Sequence, residues 1–232
     1  MHASRVAVLL TAAGSSRRMG EGPKKEYRFL DGITVISRAL LAFAESGVVS
    51  SAMVTHPAGG EEEARAAISP ELLSMSGFSI RFCQGGDTRR ASVYLGLQAL
   101  GAVSPDIVLI HDGARPRLSP ALVRAVAEAA RINEAAVPLV PTVDTMKEID
   151  QDGFLKRQLR RSRVKAVQTP QGFSYAKILS AHMMAAARLS SGSAAEDFTD
   201  DAEVWAQANM GPIAWVPGEE ANRKITFPED LA

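Results

Sequence analysis

Through the first 140 residues, short β-branched runs alternate with stretches patterned as helices. Val6–Leu10, Ala52–Thr55, Ile80–Cys83, Ile107–Ile110 and Ala136–Val140 read as strands. Thr34 is placed to cap a helix over Val35–Glu45, which Gly47 stops. Ser119 followed by Pro120 opens another over Ala121–Arg131, since proline is tolerated where the first helical N–H has no partner anyway. Glu61, Glu62 and Glu63 crowd the first turn of a further helix, where the helix dipole favours anions. Strands and helices alternating at this length predict right-handed crossovers and a mostly parallel sheet covered on both faces, an α/β fold.

Beyond Val140 the pattern changes. Thr142 to Lys165 lacks a strong apolar helix, and Lys156, Arg157, Arg160, Arg161, Arg163 and Lys165 gather positive charge. Gly153 sits in a turn signal between flanks able to pair as a hairpin. So polar a hairpin cannot bury itself, and the segment Thr142–Lys165 is read as an arm leaving the main sheet. The chain then returns through Val164–Val167, a helix around Ala176–Leu189 and another near Thr199–Asn209. Two short strands, Ile213–Val216 and Lys224–Thr226, complete a single domain over 1–232.

Composition narrows the function classes. The formal net charge is zero, with 26 basic and 26 acidic residues, which argues against a dedicated nucleic-acid binder. No apolar stretch approaches the ~20 residues needed to cross a bilayer, so no membrane role is expected. The apolar core at Val6–Leu10 also falls short of the ~7–15 residues of a secretory signal. The single cysteine, Cys83, excludes an internal disulfide and a zinc cluster, and a reducing cytoplasm is the simplest compartment.

In an open parallel sheet, ligands bind beyond the carboxyl ends of the strands. After the first strand come Ala12, Ala13 and Gly14, small enough for backbone N–H groups to approach a phosphate. Arg17, Arg18, Lys24 and Lys25 are available to neutralise it. The bland alternative is a tight turn with a solvated basic flank; neither a Walker motif nor GxGxxG is present. After the third strand, Gly85 and Gly86 make a turn where backbone can meet a planar base, with Asp87, Arg89 and Ser92 as directional polar groups. After the fourth comes Asp112, placed to bind Mg²⁺ or to cap a turn, beside His111, which reads as a packing residue. No nucleophile–base pair emerges. A site rich in cations and poor in acid–base groups suits phosphoryl or nucleotidyl transfer, where positioning and charge neutralisation supply most of the rate.

The order and spacing of Ala12-Ala13-Gly14, Arg18-Met19, Pro23-Lys24, Gly85-Gly86-Asp87, Arg89, Ser92-Val93, His111-Asp112, Ala114-Arg115-Pro116, Asp144-Thr145-Met146-Lys147 and Thr169-Pro170-Gln171 resemble the 2-C-methyl-D-erythritol 4-phosphate cytidylyltransferase family. The resemblance spans about Val6 to Leu231 and implies a Rossmann-like fold of the nucleotidyltransferase type. It implies a CTP-dependent transfer of CMP to the sugar phosphate in isoprenoid precursor biosynthesis, with Mg²⁺ as cofactor. Ala12, Ala13 and Gly14 would bind the CTP phosphates and ribose, while Asp87, Ser92 and Gly113 line the cytidine pocket. Arg18 and Lys24 would stabilise the transition state and leaving pyrophosphate. Asp112 would meet Mg²⁺ and the sugar phosphate, and Arg115, Thr145, Arg161, Thr169, Thr199 and Lys224 match positions that hold that substrate. The segment 141–167 matches a β-arm that would interlock a homodimer. Ribitol 5-phosphate cytidylyltransferases share most of these motifs, so another polyol phosphate is the alternative substrate. An alternative of another class is a nucleotide-binding module without turnover. The chain departs from the family pattern at Ser16 (usually glycine), Lys25 (commonly glutamine) and Ala221 (an expected aspartate). It ends at Ala232 where a last helix would begin, which fits either a trimmed chain or one half of a bifunctional polypeptide.

Overall fold

The computed structural model describes residues 4–16, 19–20, 22–190 and 198–231. Its elements run β1 (Val6–Thr11), β2 (Phe29–Leu30), β3 (Ile33–Thr34), α1 (Val35–Glu45), β4 (Val49–His56), α2 (Glu61–Ala66), α3 (Pro70–Leu73), β5 (Ser79–Gln84), α4 (Arg89–Ala99) and β6 (Ile107–Asp112). They continue through α5 (Pro120–Asn133), β7 (Ala135–Pro141), β8 (Lys147–Ile149), β9 (Leu155–Gln158), β10 (Lys165–Val167), β11 (Gln171–Ser174), α6 (Tyr175–Ser190), α7 (Asp201–Gln207) and β12 (Ala214–Pro217). The expected caps form: the Thr34 hydroxyl accepts from Ser37 N at 3.2 Å, and Ser119 from Leu122 N at 3.1 Å. Gly47 ends α1 with φ +70°.

β5, β4, β1 and β6 lie side by side and parallel, which brings their carboxyl ends to one edge. Alternate residues of β1 feed two cores. Val8 and Leu10 pack with Ile36, Leu40 and Phe43 of α1 and Val123 and Val126 of α5. Ala7 and Leu9 pack on the other face with Val93 and Leu97 of α4, Ile178 of α6 and Trp205 of α7. Helices on both faces therefore hold the sheet rigid beneath the loops at its edge.

One strand lies outside the reading of the sequence, and one expectation needs correction. β7 does not adjoin β6, because β11 lies between them, antiparallel to both. Its sequence, Gln171-Gly172-Phe173-Ser174, carries too short an apolar pattern to read as a strand, yet Phe173 is fully buried. Lys224–Thr226 forms no strand; Ile225 N instead bonds to Ala114 O at 2.8 Å, pinning the segment to the loop after β6.

β8 and β9 form a two-stranded sheet of their own, turning at Gly153 with φ +85°. Glu148 accepts from Lys156 at 2.8 Å and Arg157 at 2.6 Å, so part of the basic charge is met within the hairpin. Ile149, Phe154 and Leu155 are exposed on it. Among the described residues, no helix is long and apolar enough to cross a membrane.

Candidate active site

The loops after β1, β4, β5 and β6 enclose a cavity of about 720 Å³ with the 224–226 segment. Ala13, Gly14, Asp87, Ser92, Asp112 and Lys224, all singled out from sequence, line it together.

The turn after β1 is built from short contacts. Ala12 N donates to the buried Thr55 hydroxyl at 3.0 Å, which fixes the turn but uses the N–H that the sequence reading assigned to nucleotide. Ala12 itself is buried and does not line the cavity. Ser16 stands with φ +50°, a left-handed conformation that glycine adopts more readily. Its hydroxyl holds it there, donating to Glu26 Oε2 at 3.3 Å and accepting from Lys25 N at 3.3 Å. Glu26 is nearly buried at the cavity wall, and burial raises its pKa despite Lys25 and Lys24. Arg18 lies outside the described residues, as does Arg17.

The two lysines part company. The Lys24 ammonium donates to Gly14 O and lies 5.8 Å from the Tyr27 ring centre, and burial lowers its pKa. Lys24 does not line the cavity, whereas Lys25 does, with its ammonium 3.2 Å from Ile225 O. Lys24, the lysine of the motif, thus sits against Gly14 of the cavity wall, and Lys25 joins the lining beside it.

Opposite lies the Gly85–Gly86 turn. A Cβ on Gly85 would stand 2.4 Å from Ala13 Cβ and 2.7 Å from Ser92 Oγ, so only glycine lets the two loops meet. Ser92 is buried beneath, donating to Thr88 O at 2.9 Å and accepting from Gly86 N at 3.1 Å. It therefore shapes the turn as well as bordering the cavity.

Asp112, at the end of β6, is the electrostatic centre. Arg89 Nε donates to its Oδ1 at 3.2 Å and Lys224 Nζ to its Oδ2 at 2.9 Å, with Arg115 Nε 3.6 Å from Oδ2. Burial would raise the carboxyl pKa, but Arg89, Lys224 and Arg115 outweigh it and hold the group well below the usual carboxylate range. Among the described residues no three His, Cys, Asp or Glu side chains converge on a metal. The donor set therefore fits Mg²⁺ only as one carboxylate completing a shell of phosphate oxygens and water, the usual habit of this ion. A carboxylate offers about four lone pairs, so the Arg89 and Lys224 bonds leave it room for a further partner.

Several other sequence-assigned residues are bonded to the protein itself or stand off the cavity wall. Gly113 N donates to Thr11 O at 3.0 Å, and a Cβ there would meet that same oxygen at 3.0 Å, so this glycine permits close packing and does not line the cavity. Thr169 is buried; its Oγ1 accepts from Asp112 N at 3.2 Å and lies 2.9 Å from His111 Nδ1. His111 Nε2 lies 3.0 Å from Arg115 O, which can only accept, so Nε2 carries the proton and the threonine hydroxyl donates to Nδ1. Burial lowers the His111 pKa to about 4, keeping the ring neutral. Arg115 is tied to Asn222 O at 2.9 Å, and Asn222 Nδ2 bonds Thr169 O at 2.7 Å. Thr199 donates its hydroxyl to Glu203 at 2.8 Å and, like the exposed Thr145 and Arg161, lies away from the cavity lining.

Sequence reasoning missed Thr55, Glu26, Asn222, His182 and Asp201. Asp201 bonds Arg89 Nη2 at 2.8 Å from a position 112 residues away. No local motif carries that signal.

The family model for 2-C-methyl-D-erythritol 4-phosphate cytidylyltransferase matches residues 6–232. A bifunctional enzyme IspD/IspF from Nitrobacter hamburgensis is 40% identical, the match covering 98% of this chain and 53% of that protein. The chain thus spans about half the length of the curated relatives it matches. A 2-C-methyl-D-erythritol 4-phosphate cytidylyltransferase structure from Thermus thermophilus is 35% identical with a TM-score of 0.73, covering 98% of this chain and 95% of that one. The structure of 4-diphosphocytidyl-2C-methyl-D-erythritol synthase from Anaerococcus prevotii is 26% identical with a TM-score of 0.83, covering 99% and 93%. With the family model matched along nearly its whole length and solved structures of that family sharing its fold, the chain belongs to the 2-C-methyl-D-erythritol 4-phosphate cytidylyltransferase family.

Proposed function

We propose that this chain transfers CMP from CTP to 2-C-methyl-D-erythritol 4-phosphate. A phosphate oxygen of the sugar phosphate attacks the α-phosphorus of CTP, the bond from that phosphorus to the β-phosphate bridging oxygen breaks, and pyrophosphate leaves. The observation that carries this reading is the cavity joining the Ala13–Ser16 and Gly85–Asp87 turns to Asp112 and Lys224. Backbone and small side chains suit a nucleotide at one end, and cations suit a phosphate at the other. The attacking phosphate needs no general base, which accounts for a site without a nucleophile–base pair.

In this reading Lys24 and Arg18 stabilise the developing charge of the transition state and the leaving pyrophosphate, with Lys25 adding a cation on the cavity wall. Lys224 addresses the sugar phosphate, and Arg115 is held beside it by Asn222. Mg²⁺ supplies charge neutralisation on the phosphates when bound, with Asp112 as its protein ligand. Arg161 and Thr145, on the 141–167 segment, would reach substrate in a second subunit, which makes the working unit a homodimer. The cytoplasm is the compartment we assign.

The test is pyrophosphate release by the purified chain with CTP and Mg²⁺, comparing methylerythritol phosphate, ribitol 5-phosphate and no acceptor. Preference for methylerythritol phosphate supports the reading. Preference for ribitol phosphate reassigns the acceptor, and CTP binding with no acceptor-dependent release leaves a nucleotide-binding module.

A further inference from the structure

The cavity's central carboxylate is held from behind by a buried chain of charges. Arg89 opens α4 and borders the cavity, with Nε on Asp112 Oδ1 at 3.2 Å and Nη2 on Asp201 Oδ2 at 2.8 Å. Asp201 is fully buried at the start of α7. Its other oxygen lies 3.2 Å from Nε2 of His182 on α6, also fully buried. Asp201 does not line the cavity.

A buried carboxylate is costly to keep, and replacing such pairs by apolar groups often stabilises a protein, so stability alone is a weak account of Asp201. Orientation is a better one. Asp112 has Arg89, Lys224 and Arg115 within reach, and a carboxylate among several cations has more than one satisfactory rotamer. A guanidinium is a rigid planar fork: fixing one arm fixes the direction of the others. With Nη2 anchored on a fully buried carboxylate, Nε presents one hydrogen-bond direction to Asp112. Gln171 secures the anchor, bonding Asp200 Oδ2 at 2.9 Å and receiving Ala202 N at 3.0 Å.

We propose that Asp201 and Arg89 are positioning residues that lock the Asp112 carboxylate in its working orientation, with the buried His182 bracing Asp201. The inference rests on the cytidylyl-transfer reading above. Asp201 acts on the reaction only through Arg89, and Arg89 acts chiefly through Asp112.

Steady-state kinetics on Asp201→Asn, Arg89→Lys and the double variant test it. Asparagine keeps the shape but weakens the anchor, and lysine keeps the charge but lacks the rigid fork that fixes one donor direction through another. Each single change is expected to lower kcat about 10- to 100-fold, with KM for CTP within about threefold of the parent, because misplacing a group by ~1 Å can cost a hundredfold. The double variant should fall no further than the weaker single one, and neither change should add to the loss already present in Asp112→Asn. Additive losses, a KM for CTP rising in step with the fall in kcat, or parental kinetics in Asp201→Asn would each overturn it. If Asp201→Asn fails to fold, Arg89→Lys alone and combined with Asp112→Asn makes the same comparison. An inactive parent chain would refute the transfer reading and this inference together; an active parent with unaffected variants refutes this inference alone.

Discussion

Replacing Asp112 by asparagine removes the one anion shared by Arg89, Lys224 and Arg115. Breaking one side of a buried pair costs roughly 3–5 kcal/mol, because the remaining charge is left uncompensated. Here the loss is smaller: Arg89 keeps Asp201, and the Lys224 side chain is 37% exposed and regains water. About 2–3 kcal/mol is expected, a fall in Tm of roughly 4–12 °C for a domain of this size. The difference should also depend on pH in a defined direction. The folded-state pKa of Asp112 lies below its ordinary value of 3.8, so its contribution is fully present above that value and is lost as pH falls toward the folded pKa. Urea unfolding of parent and Asp112→Asn at neutral pH and at roughly pH 3 measures both effects, with the gap expected to shrink in acid. Asp112→Asn within about 0.5 kcal/mol of the parent at neutral pH, or a gap that does not narrow in acid, would refute the ion-pair account. In the same variant, transfer should require more Mg²⁺, since an amide binds a hard cation less well than a carboxylate. Superimposable Mg²⁺ titrations would remove Asp112 from the metal's surroundings.

Lys24→Ala should lower kcat on the order of 10²–10³-fold, the usual cost of one donor to developing charge, and near-parental turnover in steady-state kinetics would remove Lys24 from the chemistry. Gly85→Ala should cost ~1–3 kcal/mol in fit between the two turns and raise KM for CTP about tenfold or more, and an unchanged KM would mean the turns do not need their close approach. His111, held neutral with a pKa near 4, should make the parent lose roughly 3 kcal/mol as pH falls from 6.5 toward 4, because the unfolded chain takes up the proton; His111→Gln should flatten that slope in urea unfolding, and an unchanged slope would contradict the assignment. If residues 141–167 cross to a partner, mixing Arg161→Ala subunits with Lys24→Ala subunits should recover up to half the activity per heterodimer, since one site lacks both groups and the other is intact; subunit exchange without recovery would keep Arg161 out of a neighbour's site.

The sequence determined what short-range physics controls. Thr34 and Ser119 announce their helices because a cap is satisfied within three residues. The loops around Gly14, Gly86 and Asp112 were legible as one site because each follows a parallel strand, and parallel strands deliver their ends to one edge. The resemblance supplied the chemistry those loops serve. Tertiary structure alone decided how each group's bonding capacity is spent. Ala12 N goes to Thr55, 43 residues away, and the Thr169 hydroxyl lies between Asp112 N and His111, so bonds internal to the protein occupy groups that the sequence shows only as candidates for substrate. Neighbours in sequence likewise separated, with Lys25 bordering the cavity while Lys24 bonds the loop. β11 was hidden because its partners, β6 and β7, supply the burial that its own four residues do not display. Arg89 and Asp201 meet across 112 residues, and no pattern in the chain encodes that pairing. A donor or acceptor has few bonds to give, and only long-range packing decides whether they face the ligand or the protein.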